Sequence, residues 1–196
     1  MTVIDLDQGP GQTSRPPVIA PRNVGSVVIG AVVDMERRPR LDREGAPIMN
    51  SRGKPASEEI LTILTLDGTT GTVTADDDEW TPPAGTVCRL IFAGIKWGRL
   101  IDARKLGAEG RTRVGDIVTV TTPTATIWRG KGDIAARDVD DVDKIARARA
   151  KGLSVGFDWK VDYRRASADE AAIVAQAVAA HHAQKAAAAP DLDDAF

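Results

Sequence analysis

The sequence predicts a mainly β domain of five strands, with one helix between the third and fourth strands, a flexible arm before the domain and a helical tail after it. Five segments rich in β-branched residues alternate with connections rich in glycine, proline and polar residues. The chain has 196 residues, of which 42% are hydrophobic, enough to bury one sizeable core and too few for two large domains. We therefore expect an arm at 1–22, a domain at 23–167, an Ala-rich helix or linker at 168–189 and an acidic tip at 190–196.

The first two strands enclose the most basic segment of the chain. "SVVIGAVVDM" predicts a strand with a bulge or a close backbone approach at Gly30. "RRPRLDREGAPIMNSRGKPASEE" follows with six basic residues and repeated Gly and Pro, which predicts a long exposed loop or a loose hairpin. "ILTILTLDG" predicts the second strand, ending at an Asp-Gly turn.

The third strand, the helix and the fourth strand follow in order. "TVCRLIFAG" predicts the third strand, after a solvated connection with an acidic cluster at 76–78. In "IKWGRLIDARKLGAEG" the spacing of four apolar residues allows one helical stripe, although Gly98 weakens the helix; these are Ile95, Leu100, Ile101 and Leu106. "VGDIVTVTTPTATIW" predicts the fourth strand, with a sheet edge or bulge at its proline.

Two helices flank the fifth strand. "VDDVDKIARARAKG" has acids in its first turns, bases in its last turns and a glycine stop, which is typical of a short helix. "SVGFDWKVDYRRAS" predicts the fifth strand, because apolar and aromatic residues alternate strictly with polar ones. "ADEAAIVAQAVAAHHAQKAAAA" has strong helix propensity but a weak apolar face, so its helix would be marginal unless it docks.

Several classes of protein and site are disfavoured. The longest apolar runs are far below the roughly 20 residues of a membrane span, and the N-terminus lacks a signal pattern, so we expect a cytoplasmic protein without a membrane partner. The single Cys88 forms no intramolecular disulfide, and His181 and His182, which we expect to be solvated, make a poor metal site.

No enzyme is expected either. The sequence has no Ser-His-Asp arrangement and no phosphate-cradling glycine loop before a helix. Three consecutive aspartates at 76–78 would suit a divalent cation, but such clusters are usually charged surface. We expect no metal and no cofactor.

Charge is segregated along the chain. The net charge is −2, yet residues 15–165 carry 25 basic and 21 acidic side chains, whereas residues 166–196 carry one lysine and five acids. Such asymmetry suggests separate roles for a basic body and an acidic tail.

Strand, strand, strand, helix, strand, strand is the order of an OB-fold, a five-stranded barrel that binds oligonucleotides between its 1–2 and 4–5 loops. The basic loop lies between strands 1 and 2, and "IWRGKG" leads into the connection between strands 4 and 5. A single-strand binder needs cations for phosphates and aromatic faces for bases. The candidate residues are Arg37, Arg38, Arg40, Arg43, Arg52, Lys54, Arg89, Lys96, Trp97, Trp128, Arg129, Lys131, Trp159 and Tyr163.

The aromatic candidates differ in their surroundings. Trp97 and Trp128 adjoin glycine and charged residues, which favours surface stacking on bases. Trp159 and Tyr163 share a strand face with apolar residues, so core and groove remain alternatives for both. Phe157 lies within an apolar strand and is expected in the core.

Residues 24–121 resemble the OB-fold single-stranded-DNA-binding proteins of phages that infect actinobacteria. The resemblance rests on a glycine in the first strand, the segments Gly45-Ala46-Pro47 and Gly53-Lys54-Pro55, Gly94 at the end of the third strand, and Gly115-Asp116. Residues 133–152 and the Ala-rich segment depart from that pattern. The resemblance implies a non-enzymatic protein that coats and protects single-stranded DNA during phage replication and recombination.

The sequence closes with "DLDDAF", which looks like the acidic tip of bacterial and phage single-strand-binding proteins. That resemblance implies docking on replication and repair enzymes, with the aromatic ring in an apolar pocket and the carboxylates on basic residues. The residues concerned are Asp191, Asp193, Asp194 and Phe196. A plain solubility tail is the alternative.

A second functional class also accommodates the strands and arms. A β-rich phage structural protein, from a capsid decoration or a tail, would have the same elements. It does not account for a basic loop together with an acidic tail that ends in phenylalanine. The sequence leaves the oligomeric state open, a homo-oligomer included.

Overall fold

The computed structural model describes residues 16–187, apart from 43, 51, 75–77, 108–109, 112 and 131. The described chain is mainly β and antiparallel, as the sequence predicts. Its strands are β1 (Ile19–Pro21), β2 (Val27–Pro39), β3 (Ser57–Thr65), β4 (Thr72–Thr74), β5 (Val87–Ala93), β6 (Ile117–Gly130), β7 (Asp133–Val139) and β8 (Ser154–Arg164). Its helices are α1 (Ile95–Gly107), α2 (Val142–Ala150) and α3 (Ala168–Ala187).

Six strands form one open sheet, in the order β5-β3-β2-β6, with β7 and β8 both paired to β6. The first half of β6 pairs with β2 and its second half with β7, while β8 runs along the opposite edge. The order β5-β3-β2-β6 is that of a Greek key, because the fourth strand returns through α1 to lie beside the first. The prediction of five strands missed β7 and the short pair of β1 with β4.

The sheet curls around its largest core. Side chains from β2, β3, β5, β6, β8 and α1 form one buried cluster. Phe92 on β5 and Trp159 on β8 meet within it, although these strands lie at opposite ends of the sheet order. The two ends of the open sheet are therefore brought face to face.

Residues 16–21 occupy the space between those two ends. The Arg89 amide on β5 donates to the Pro17 carbonyl at 2.8 Å, and the Trp159 indole on β8 donates to the Pro21 carbonyl at 3.2 Å. Ile19 between them is 1% exposed. We predicted a flexible arm through residue 22, but this part of it is packed into the core; residues 1–15 lie outside the described residues.

Helix α1 packs against β8 through a narrow face. Leu100, Ala103 and Arg104 are its buried residues, whereas Ile95 and Leu106 are 82% and 91% exposed. The predicted apolar stripe is therefore wrong. The close contact lies instead at Gly107, where a Cβ would collide with the Tyr163 carbonyl oxygen.

Helix α3 docks on the outer face of the sheet. Val174 is 2% exposed and packs with Ala31, Val33 and Leu64. The Lys185 ammonium lies 2.6 Å from an Asp34 carboxylate oxygen, and His181 lies 3.8 Å from the same oxygen. His181 is therefore part of the contact between α3 and β2. The prediction that it is solvated is wrong.

The second half of β6, β7, α2 and the start of β8 form a unit with a small core of its own. Helix α2 begins after Asp141, whose side chain accepts the Lys144 amide proton as an N-cap. Ile145 and Ala148 on α2 pack against Ala125 and Ile127 on β6. We call this unit, residues 124–158, the arm of the sheet.

No helix in the described part of the chain is long and apolar enough to cross a membrane.

Candidate nucleic-acid interface

The basic segment between β2 and β3 is an ordered double turn. The Asp42 carboxylate accepts the amides of residues 44 and 46, and the Asn50 side chain accepts those of residues 52 and 54. Gly45 and Gly53 have φ of 84° and 68°, which favours glycine. The same turn is thus built twice, eight residues apart.

Backbone bonds tie the two turns together. The Ile48 amide donates to the Arg40 carbonyl, the Ala56 amide to the Ile48 carbonyl and the Arg40 amide to the Ala56 carbonyl, all at 2.7–2.9 Å. These bonds join the described residues of the segment 40–56, which we call the ribbon. We expected a long exposed loop or a loose hairpin; the described part of the segment is a hydrogen-bonded ribbon that carries exposed side chains.

The predicted cations of the ribbon are exposed where they are described. Arg40, Arg52 and Lys54 point to solvent, and no carboxylate among the described residues forms an ion pair with them. Arg43 lies outside the described residues. The ribbon therefore presents uncompensated positive charge.

At the base of the ribbon, the predicted DNA-binding residues contact other side chains of the protein. Arg37 stacks on Trp97, with 4.7 Å from the guanidinium carbon to the ring centre. The Trp97 indole donates to Glu59 at 3.4 Å, and its ring is half-buried against the core. Arg38 pairs with Glu58 at 2.7 Å. Trp97 thus offers less free ring surface than the stacking hypothesis requires.

Three further candidates are part of the fold. The Arg89 guanidinium donates to the Pro16 carbonyl at 2.7 Å and fixes the segment beside β5. Trp159 and Tyr163 are each 5% exposed in the main core, so of the two alternatives the structure favours core. Arg104, buried in an ion pair with Glu59, lies 6.0 Å from the Tyr163 ring.

Trp128 and Arg129 lie on the arm of the sheet. The Trp128 indole crosses Gly156, where a Cβ would lie 3.4 Å from its nitrogen. Gly156 and Phe157 are neighbours on β8 and point to opposite faces of the sheet. Trp128 lies on the Gly156 face, so the sheet separates it from Phe157. Arg129 is exposed at the end of β6, and Lys131 lies outside the described residues.

A cleft opens between the body of the protein and the arm of the sheet. It encloses about 600 Å³ and continues into a hollow of about 360 Å³ beside α2. Strand β8 and helix α2 form one wall, and the connections before β2 and around β4, with the start of α1, form the other. The side chains that matter for its chemistry are Arg22, Glu79, Lys96, Arg149, Val155 and Phe157.

The cleft has three cations, one carboxylate and one aromatic ring. The Arg149 guanidinium carbon lies 5.1 Å from the centre of the Phe157 ring. The Lys96 ammonium lies 3.7 Å from the centre of the Trp159 ring, which belongs to the core behind the cleft. Positive charge beside a partly buried ring at the wall of a cleft suits a phosphate chain that carries flat bases.

Burial lowers the pKa of Lys96 to about 8, and repulsion from Arg22 adds to the effect. The Trp159 face favours the charged amine and so acts against the loss of water around Lys96. No carboxylate of the described chain forms an ion pair with Lys96.

Sequence reasoning missed Arg22 and Arg149. Phe157 was expected in the core; it is partly buried against two core clusters and also lines the cleft. A signal existed for Arg149, because Val142, Ile145, Ala146 and Arg149 recur at helical spacing and all line the hollow beside α2. Arg22 was missed because it lies in the segment that was assigned to the flexible N-terminal arm. Of the predicted residues that the structure describes, only Lys96 lines this cleft directly.

Comparison with protein-family models, with curated proteins and with solved structures finds no significant match to this chain. Within the described ranges, no cluster of three or more His, Cys, Asp or Glu residues is arranged to hold a metal ion. The acidic residues 191–196 and the aspartates 76 and 77 lie outside those ranges.

Proposed function

We propose that the protein binds single-stranded DNA without sequence specificity, as a non-enzymatic coating protein. The observation that carries the proposal is the cleft, which Arg22, Lys96, Arg149 and Phe157 line together, with the Arg149 guanidinium over the Phe157 ring. Phosphates neutralised by such cations supply most of the affinity of sequence-independent binders. Stacking of a base on an aromatic side chain adds about 1–3 kcal/mol.

We propose further that the fold is an OB-fold. An OB-fold is a partly open Greek-key barrel with binding loops between strands 1 and 2 and between strands 4 and 5. The Greek-key order of β5-β3-β2-β6, the position of α1 and the curling of the sheet support this assignment. The ribbon then corresponds to the first binding loop, and β7 with α2 to the second.

The shape of the cleft favours a single strand over a duplex. Phe157 lies on one wall of the cleft and faces the other, so we expect only an unstacked base to reach its ring. In a duplex the bases are stacked on one another and only their edges are open to a protein. Phosphates of a duplex would still meet the exposed cations of the ribbon, so we expect weak duplex binding.

The acidic segment 190–196 completes the proposal. Its resemblance to the tips of single-strand-binding proteins supports a role in docking replication and recombination enzymes. In such a protein the ribbon and the cleft hold DNA. The acidic segment, which follows α3 in the chain, has the opposite charge and binds partner proteins instead. A phage setting for this activity rests on the same resemblance.

Equilibrium binding of a fluorescein-labelled dT oligomer, followed by anisotropy at several salt concentrations, tests the proposal. We expect tighter binding to the oligomer than to a duplex of equal length. The logarithm of the association constant should fall linearly with the logarithm of salt, with a slope near −0.7 per phosphate contact. Equal affinity for both DNA forms, or no dependence on salt, would contradict the proposal.

A further inference from the structure

Lys96 combines three properties that a phosphate contact does not require. Its amine lies at the wall of the cleft, against the Trp159 ring. No carboxylate of the described residues neutralises it. At pH 7.5 an amine with a pKa of about 8 is about one quarter neutral, against about one part in a thousand for an ordinary lysine.

A partly neutral lysine amine in a desolvated site is a nucleophile that forms imines with carbonyl compounds. An intact single strand has no aldehyde. A strand that has lost one base has one, since the deoxyribose at that position opens to a free aldehyde at C1′. An abasic sugar also has no base to place in the cleft, so C1′ can approach the wall where Lys96 lies.

We propose that Lys96 captures abasic sites in single-stranded DNA as a covalent imine. The inference rests on the proposed DNA-binding function, and it adds a reaction to it. It concerns a damaged strand, whereas coating requires only an intact one.

The reaction balances without an external oxidant or reductant. The neutral Lys96 nitrogen attacks C1′, a C–N bond forms, the C–O π bond breaks, and one proton passes from nitrogen to the aldehyde oxygen, which becomes the hydroxyl of a carbinolamine. The hydroxyl then leaves as water with the second proton of the nitrogen, the C–O bond breaks, and C1′ and nitrogen form a double bond. Addition of water reverses both steps and returns the free amine.

The charged groups around Lys96 agree with this chemistry. Arg22 and Arg149 line the same cleft and would hold the phosphates that flank the abasic sugar. Glu79 also lines it and is the one carboxylate of the six side chains that define the cleft.

Reductive trapping tests the inference on the full chain. The protein is mixed with a dT oligomer that carries one abasic site, made by uracil-DNA glycosylase from a single dU, and with sodium cyanoborohydride, which reduces the imine to a stable amine. We expect a cross-linked band on a denaturing gel, and a peptide mass that places the adduct on Lys96. An adduct on another amine of the chain, or no adduct, would overturn the inference.

Matched variants distinguish the loss of the nucleophile from the loss of DNA binding. Lys96→Arg keeps the positive charge but removes the nucleophile, and its yield is compared with wild type at oligomer concentrations that saturate each protein. We expect at least a tenfold loss of adduct, whereas Lys105→Arg, about 13 Å away along α1, should stay within twofold of wild type. An unchanged yield in Lys96→Arg would contradict the inference.

Two further readouts distinguish this inference from the proposed function. The trapping rate of the wild type should rise as pH increases from 6.5 to 8.5, because the amine loses its proton in that range. Binding of an intact dT oligomer is measured in parallel. Normal binding without trapping would defeat only the inference about Lys96, whereas absence of binding to the intact oligomer would defeat the proposed function.

Discussion

Phe92 and Trp159 meet edge to face, with their ring centres 5.5 Å apart and their planes at 81°. They come from β5 and β8, the strands at opposite ends of the sheet order. Edge-to-face packing is a preferred arrangement for aromatic pairs. This contact shows that the open sheet curls until its two ends share one core.

Removing the Phe92 ring should therefore loosen both ends of the sheet. Phe92 is fully buried, and Phe92→Ala should lower the free energy of unfolding by about 3–5 kcal/mol. Urea denaturation followed by tryptophan fluorescence measures this loss. The exposed Leu106→Ala serves as the control and should stay within about 0.5 kcal/mol of wild type.

The segment before β2 should contribute to stability as a core element does. Ile19→Ala removes a side chain that is 1% exposed between the two ends of the sheet, and we expect a loss of about 2–5 kcal/mol. Thermal unfolding measures the change. A melting temperature equal to that of wild type would show that residues 16–21 are dispensable to the core.

Two glycines of α1 provide a matched pair. Nothing lies within 4 Å of a Cβ added at Gly98, so Gly98→Ala should stabilise the protein by about 0.5–1 kcal/mol through helix propensity. At Gly107 the same change meets the backbone of Tyr163 and should destabilise by about 3 kcal/mol. Chemical denaturation of both variants measures the two signs, and equal effects would contradict the packing of α1 on β8.

Helix α3 should loosen in acid. The Glu170 carboxylate binds the Arg164 guanidinium and the Ser167 amide, which lowers its pKa from 4.5 to about 2. Because the folded pKa is the lower one, this stabilisation is complete above pH 4.5 and is lost as the pH falls towards 2. Circular dichroism at 222 nm should show helix loss in that range.

The matching variants remove or keep the responsible carboxylate. Glu170→Gln should flatten the dependence between pH 4.5 and 2, whereas Asp169→Asn, in the same first turn of α3, should retain it. The same acid response in Glu170→Gln and in wild type would assign it to another group.

Local signals in the sequence were sufficient for most of the fold. Gly30 was expected at a bulge or a close backbone approach, and the strand does approach closely there, but it is the Ile63 side chain that would lie 2.6 Å from a Cβ. Pro123 was expected at an edge or bulge, and the register of β6 against β8 shifts between Thr121 and Thr124. Glycine and proline impose backbone constraints that can be recognised from the sequence without knowledge of the tertiary structure.

Elements that depend on distant partners were missed. Strand β7, "DIAARDV", has little β-branched character and pairs because the second half of β6 extends beyond β2. Residues 16–21 have the composition of an arm, and only the space between β5 and β8 fixes them. Arg22, Lys96 and Arg149 are far apart in sequence and share a cleft through tertiary contacts alone.

The most direct test of DNA binding in the cleft compares two arginines of one helix turn. Arg149 lines the cleft, while Arg147, two residues earlier on α2, points about 200° away around the helix axis. Both Arg149→Glu and Arg147→Glu change the net charge by the same amount. Any difference between them in affinity for a dT oligomer is therefore due to position.

We expect Arg149→Glu to weaken binding of the dT oligomer at least tenfold and to make the salt slope shallower by about 0.7, the value of one lost phosphate contact. Arg147→Glu should remain within about threefold of wild type, because only unspecific attraction is reduced. Anisotropy titrations of the three proteins at two salt concentrations measure both quantities. Equal loss in the two variants, or wild-type affinity in Arg149→Glu, would contradict a DNA-binding role for the cleft.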